Sequence, residues 1–165
     1  MEHQNATAAR QIIESNKYLV LATSLGDVPW VAPLFFAHDA EYNFYFVSGK
    51  STRHSDHIAK NPNVAVTIFD SRKAPEDADG VYVEGRAAVV GIRELPKALM
   101  LVYLRRFPDD KIRSLHEHSP KEFFGKNPRR FYKITPNRMY KLDRDNPTSV
   151  DRRVEVPLSM LRTSE

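Results

Sequence analysis

The stretch "YLVLATSLGDVPWVAPLFFAHDAEYNFYFVS", Tyr18 to Ser48, decides the architecture. It contains three runs rich in β-branched and aromatic residues, 18–24, 30–38 and 42–48, divided by "LGDVP" and "DAE". Runs of this kind separated by so few residues of turn chemistry predict two consecutive hairpins. A parallel arrangement needs a crossover of a dozen or more residues between strands, so an antiparallel sheet follows. Pro33 has no N–H to give to a ladder, which puts strand two at a sheet edge or at a bulge.

Working outward, "ATAARQIIESNK" (6–17) sets Ala8, Ala9, Ile12 and Ile13 at helical spacing and predicts a short amphipathic opening helix. Downstream, "NVAVTIFD" (63–70) reads as a strand covered on both faces, and "SRKAPEDADG" (71–80) as an exposed loop. "VYVEGRAAVVG" (81–91) is a strand whose central Gly85 marks a bulge or a close backbone approach. "RELPKALMLVYLRRF" (93–107) opens near Pro96 and repeats apolar residues at 95, 98, 99 and 102, the spacing of a core-facing helix. Its other face is apolar too, at Leu101 and Leu104. Residues 108–128 are rich in loop signals, and "RRFYKITPNRMYKLD" (129–143) reads as a strand, a turn at Pro136–Asn137 and a further strand. The order predicts a mainly β chain, an antiparallel barrel with attached helices.

At 165 residues the chain is read as one domain, with a barrel core over about 18–143 and a C-terminal tail over 144–165. The absence of cysteine excludes disulfide scaffolds, thiolate zinc sites and cysteine nucleophiles. No leader pattern and no window near 20 apolar residues is present, so a soluble, cytoplasmic protein is expected, away from the membrane. The formal charge of +4 is uneven: residues 1–102 carry 10 Lys/Arg against 12 Asp/Glu, and 103–165 carry 15 against 9. The basic residues of the last third are interspersed with acids and apolar residues, the pattern of a solvated surface and not of a nucleic-acid block.

The chemistry-bearing stretch is "FVSGKSTRHSDHIAKNP" (46–62). Ser48, Lys50, Ser51, Thr52, Arg53, His54 and Ser55 crowd one strand-to-helix junction. A phosphate asks for hydroxyl and backbone N–H donors at a helix N-terminus, with a guanidinium that grips two oxygens. Two readings stand on the residues alone: a phosphate cradle, or a helix capped by Thr52 beside surface charges. It is not a P-loop, because no glycine stands at the required spacing before Gly49.

Anchored on Asn61–Pro62 and the apolar strand that follows, the run from Tyr18 to Val90 resembles the pyridoxamine 5′-phosphate oxidase-like superfamily. The resemblance implies an FMN-binding split barrel, antiparallel and of Greek-key type. It implies that Ser48, Thr52, Arg53 and His54 hold the flavin phosphate, with Lys50 as helper. Ala32, Pro33, Leu34 and Phe35 would run along the isoalloxazine ring through backbone groups. It further implies flavin-mediated hydride or electron transfer on a small substrate, in a homodimer with the flavin at the subunit interface.

The sequence departs from the family where true pyridoxamine phosphate oxidases place bases in strand two, since Ala32 and Ala37 stand there. Their flavin-ring glutamine is replaced near Gly80, and their C-terminal Arg/His substrate motif is missing from "DRDNPTSVDRRVEVPLSM". The flavin expectation therefore stands without vitamin B6 as its substrate. Alternatives on the same barrel are a reductase using a deazaflavin (F420), a haem-binding or haem-degrading protein, and a flavin-free interaction module. His116, Glu117 and His118 form the H-x-H that a haem reading would use, against a solvated turn beside Pro120.

No metal site is assigned: His54 and His57, three apart, lack a third ligand, and His57 is expected at the surface. Trp30 is expected in the core. Tyr103, Phe107, Phe123, Phe124, Phe131 and Tyr132, interleaved with arginines, are expected to cover the barrel or a dimer contact and not to stack on nucleic acid.

Overall fold

The computed structural model describes residues 1–105, 119–144 and 152–162. Helix α1 (Glu2–Ser15) leads into the hairpin of β1 (Tyr18–Leu25) and β2 (Val28–Phe35). Gly26 takes φ +57 at the first of the two turn positions, where a hairpin calls for glycine. After Phe36 come β3 (Ala37–His38) and β4 (Phe44–Gly49), an antiparallel pair. The predicted second strand is thus one run interrupted at Phe36: its first part pairs β1 and its last two residues pair β4.

Helix α2 (Arg53–Lys60) follows, then β5 (Asn63–Phe69) and β6 (Gly80–Val89). Helix α3 (Leu95–Leu99) runs on into a π-helical turn over Met100–Arg105, so the predicted long helix is wound more widely in its second half. The long strand β7 (Arg129–Leu142), the short β8 (Arg153–Glu155), α4 (Leu158–Arg162) and single 3-10 turns at Pro75–Asp77 and Pro120–Phe123 complete the described elements.

All strand pairs are antiparallel, in the order β2-β1-β5-β6-β7-β4-β3, with β8 beside β7. The two end strands of that order, β2 and β3, are separated in sequence only by Phe36. Two edges can be that close along the chain only if the sheet curls round to meet itself, and the result is the predicted curled antiparallel barrel. The chain leaves β4 and returns at β5 beside β1, the Greek-key step, and α2 makes that journey across the barrel mouth. Pro33 sits on the edge strand β2, as its missing N–H requires.

Alternation of side chains fills the interior. Leu19 and Leu21 of β1, Phe44 and Phe46 of β4, Ile68 of β5, Val81 of β6 and Ile134 of β7 are buried together, and α1 adds Ala6, Ala9, Ile12 and Ile13. Each large side chain fully removed from water contributes on the order of 1.5–3 kcal/mol. A second cluster lies outside the curl, where α3 covers β3, β4 and β7 through Leu95, Ala98, Tyr45, Phe123 and Phe131.

Tyr45, fully buried there, donates to Asp39 Oδ2 at 3.1 Å or to Glu94 Oε1 at 2.6 Å. Asp39 also receives Lys97 at 2.7 Å, while Glu94 receives Lys133 at 2.8 Å. Burial pushes the Asp39 carboxyl up, but hydrogen bonds from Lys97 and from the side chain and backbone N–H of Asn43 outweigh it and hold it at about 2. Asp39 thereby ties the β3–β4 turn, where Tyr42 adopts φ +56, to α3.

Two predicted features differ. Strand β5 alternates buried and exposed residues, with Ala65 open and Phe69 48% exposed, so only one of its faces is covered within this chain. Pro136–Asn137 is no turn: β7 continues through it, and Asn137 is the extra residue where Glu84 faces Arg138 and Gly85 faces Pro136. The predicted bulge at Gly85 is this irregularity seen from the partner strand. A Cβ on Gly85 would lie 2.7 Å from the carbonyl oxygen of Thr135, which only backbone movement can relieve. Gly85→Ala is therefore expected to destabilise the fold by about 1–3 kcal/mol, read as a lower denaturation midpoint with an unchanged slope; an unshifted midpoint would contradict this packing.

Candidate functional site

Crossing the barrel mouth, α2 touches four strands with different faces. At about 100° per residue, Arg53 and His57 lie on one flank and Ser55 and Ala59 on the opposite one, with His54 and Ile58 between them. Ile58 enters the main core and His54 meets Phe46 edge to face, with ring centres 6.3 Å apart.

The predicted donors Ser48, Thr52 and His54 do converge. Ser48 Oγ is 2.7 Å from His54 Nε2, Thr52 Oγ1 is 3.1 Å from the same nitrogen, and the two hydroxyls are 3.3 Å apart. Thr52 Oγ1 also lies 3.0 Å from the Gly49 carbonyl and 2.8 Å from Ser55 Oγ, a neighbour that the predicted site left out. Thr52 is the N-cap residue, yet its side chain makes no capping bond, so the first-turn N–H groups of α2 have no side-chain acceptor.

Burial, and after it the electrostatic influence of nearby His57, lowers the His54 pKa below its ordinary 6.5, so this imidazole is neutral at pH 7. His54 thus serves as a hydrogen-bonding group and not as a fixed cation. His57 is not at the surface as expected: it is 4% exposed, and its Nδ1 is 3.1 Å from Thr23 Oγ1 of β1.

Arg53 supplies the cation. It is exposed, has no carboxylate partner among the described residues, and stacks over Trp30 at 4.7 Å from the ring centre. Trp30, 38% exposed on β2, is therefore a platform for the guanidinium and not a core residue. The stretch Ala32–Phe35 lies on the same edge strand. Leu34 turns into the main core and Phe35 toward the second cluster, so these residues offer a ligand mainly their backbone edge, which no other described strand takes up.

Lys50 is set apart from this group. It lines a cavity on the Ser55 flank of α2, across the helix from Arg53. Ala37, where a base was missed, is 5% exposed under α3 and lies in the second core cluster. Among the described residues no group of three His, Cys, Asp or Glu is placed to hold a metal. His116, Glu117 and His118 lie outside the described residues, as do Phe107 and Arg106. Of the other aromatic residues in question, Phe123, Phe131 and Tyr132 are buried, and Phe124 is exposed.

Two hydroxyls, one neutral imidazole, uncapped helical N–H groups and a guanidinium without a carboxylate form a donor-rich set. It suits a phosphoryl group, for which fork-shaped Arg donors and a helix N-terminus are both favourable. A curled antiparallel barrel with a donor cradle where a helix crosses its mouth defines the class.

The particular family follows from residues 6–143, which match the family model described as pyridoxamine 5′-phosphate oxidase. The chain belongs to that family. A UPF0306 protein of Photorhabdus laumondii is 34% identical over 110 residues, covering 63% of this chain and 76% of the relative. Among solved structures, a haem-binding protein of Mycobacterium smegmatis has a TM-score of 0.70 at 15% identity, over 95% of this chain and 59% of that one. General Stress Protein 26 of Bacillus anthracis has a TM-score of 0.59 at 20% identity, over 91% and 97%. An FAD-binding protein of Mesorhizobium loti has a TM-score of 0.57 at 20% identity, over 82% and 92%. At these identities the structures establish a shared fold. Among the described residues no helix is long and apolar enough to cross a membrane.

The lowered His54 pKa has a signed consequence. Below pH 6.5 the unfolded chain takes up this proton before the folded one, so stability falls as the pH drops through that range. In an NMR titration of the ring resonances, His54 is expected to protonate below pH 6.5; an ordinary or raised midpoint would contradict the buried, neutral assignment.

Proposed function

We propose that this chain binds FMN and acts as a flavin-dependent oxidoreductase on a small substrate. The observation that carries the reading is the convergence of Ser48, Thr52 and His54 at the uncapped start of α2, with Arg53 poised beside them on Trp30. In this reading Ser48, Thr52 and His54 donate to the phosphate, and Arg53 neutralises it. The free backbone edge of β2 at residues 32–35 orients the ring system. When bound, FMN supplies hydride or electron transfer, and the chain supplies anchoring, orientation and exclusion of water.

A homodimer with the flavin at the subunit interface belongs to the same proposal. Its support is the outward face of β1, β2, β5 and β6. There a groove of about 490 Å³ is lined by Val20, Val31, Ala65 and Tyr82, and Val31 is 58% exposed. A second copy packed on this face would cover the side of β5 that the single chain leaves open.

Purified protein should be yellow, or turn yellow with added FMN, and release FMN on denaturation. Arg53→Ala should weaken FMN binding roughly ten- to a hundredfold, the loss of one charge-assisted phosphate contact. Fluorescence quenching of the flavin measures both. A Soret band in place of flavin absorbance would substitute haem, and uptake of deazaflavin with refusal of FMN would substitute that cofactor. A folded, colourless protein that refuses all three would overturn the reading.

A further inference from the structure

On the flank of α2 opposite Arg53, a cavity of about 450 Å³ opens between the helix and the ends of β6 and β7. Its volume lies within the usual range for small-molecule sites. Ile58 and Ala59 of α2, Pro62, and Ala87–Val89 of β6 make its walls apolar. Three features give it polarity. Lys50, an exposed residue, lines it, and its ammonium has no carboxylate partner among the described residues. Ser55 lines it and is held by Thr52 at 2.8 Å. Tyr132 lines it while only 3% exposed, with its ring stacked on Phe46 at 5.2 Å.

Tyr132 is the telling member. A tyrosine hydroxyl this deeply buried ordinarily finds a partner, yet among the described residues it makes no hydrogen bond to protein. Arg130, which also borders the cavity, is spent on structure: its guanidinium donates to the carbonyls of Gly125, Asn127 and Arg129. The cavity therefore offers one uncommitted cation and one uncommitted hydroxyl beside apolar walls that open to solvent.

We infer that this cavity is a second small-molecule site, separate from the Arg53 cradle, that takes a monocarboxylate with a compact apolar body. One ammonium balances one carboxylate charge, whereas a phosphate dianion against the same apolar walls would leave a charge uncompensated. The Tyr132 hydroxyl donates to the second carboxylate oxygen, and the walls provided by Ile58, Ala59 and Val89 cover the apolar body. The site does not depend on a flavin at the cradle.

The probe is benzoate, with benzamide and phenyl phosphate as controls. Each is titrated by calorimetry into the purified full chain, first with whatever cofactor it retains and again after saturation with FMN. Benzoate is expected to bind at least tenfold more tightly than either control. Lys50→Met should weaken it roughly tenfold or more, and Tyr132→Phe several-fold. Arg53→Ala should leave it unchanged. Tyr132→Phe keeps the ring in place, so its fold is checked by an unchanged melting temperature. If Tyr132→Phe melts early, Ala59→Trp, which fills the cavity from the helix, must abolish benzoate binding instead. Equal binding of benzamide, tighter binding of phenyl phosphate, or no benzoate binding by folded protein would each overturn the inference. Benzoate binding in a chain that refuses FMN would uphold it and fail only the flavin reading.

Discussion

The closure of the sheet at Phe36 is the constraint on which the rest depends. Strand β2 ends as a partner of β1, and β3 begins two residues later as a partner of β4, so one buried phenylalanine joins the two edges of the sheet. Closure decides where α2 must go, because the route from β4 to β5 now crosses the barrel mouth. It also leaves β2 with one free backbone edge beside the start of that helix. The cradle is thus a product of topology as much as of motif. Ser48 ends β4, Thr52 begins α2, and Arg53 finds Trp30 only because the hairpin of β1 and β2 curls back to the same mouth.

Electrostatics divides the labour at that mouth. His54 is buried and neutral, so it orders the hydroxyls without adding charge. Arg53 stays exposed on an aromatic ring, which aligns a guanidinium at small cost in hydration. Lys50 faces another compartment. The cradle's single positive charge is therefore Arg53, and the bases absent at positions 32 and 37 are not replaced from elsewhere among the described residues. The ion pairs on the far side, buried Asp39 with Lys97 and half-buried Glu94 with Lys133, meet at Tyr45 and fasten α3 over β4.

Much of this was written locally in the sequence. Alternating apolar residues and the two-residue turn at Gly26–Asp27 specify the first hairpin, and Gly85 in a strand pattern signals its bulge. The hydroxyl-rich start of α2 was equally legible. What escaped depends on partners distant in the chain. His57 looks like a surface residue until Thr23, 34 positions earlier, is brought against it. Trp30 looks like core until Arg53 is placed over it. Pro136–Asn137 carries the chemistry of a turn, but opposite Gly85 it is absorbed as the extra residue of a bulge within β7. The doubly apolar run of β5 suggested cover on both faces, and one of those faces remains open in the single chain. Ser55 was legible as one donor of the junction and Tyr132 as a barrel aromatic, but nothing local joined them, because only the crossing of α2 over β6 and β7 brings them to one cavity.

The central claim is that the Ser48–Thr52–His54 group receives a flavin phosphate. The direct measurement is a titration of protein carrying ¹⁵N-labelled histidine with FMN, observing the imidazole nitrogens. The account predicts that His54 Nε2 shifts in step with flavin saturation, while His57, held by Thr23, moves far less. Saturation with FMN that leaves His54 Nε2 unmoved would contradict it.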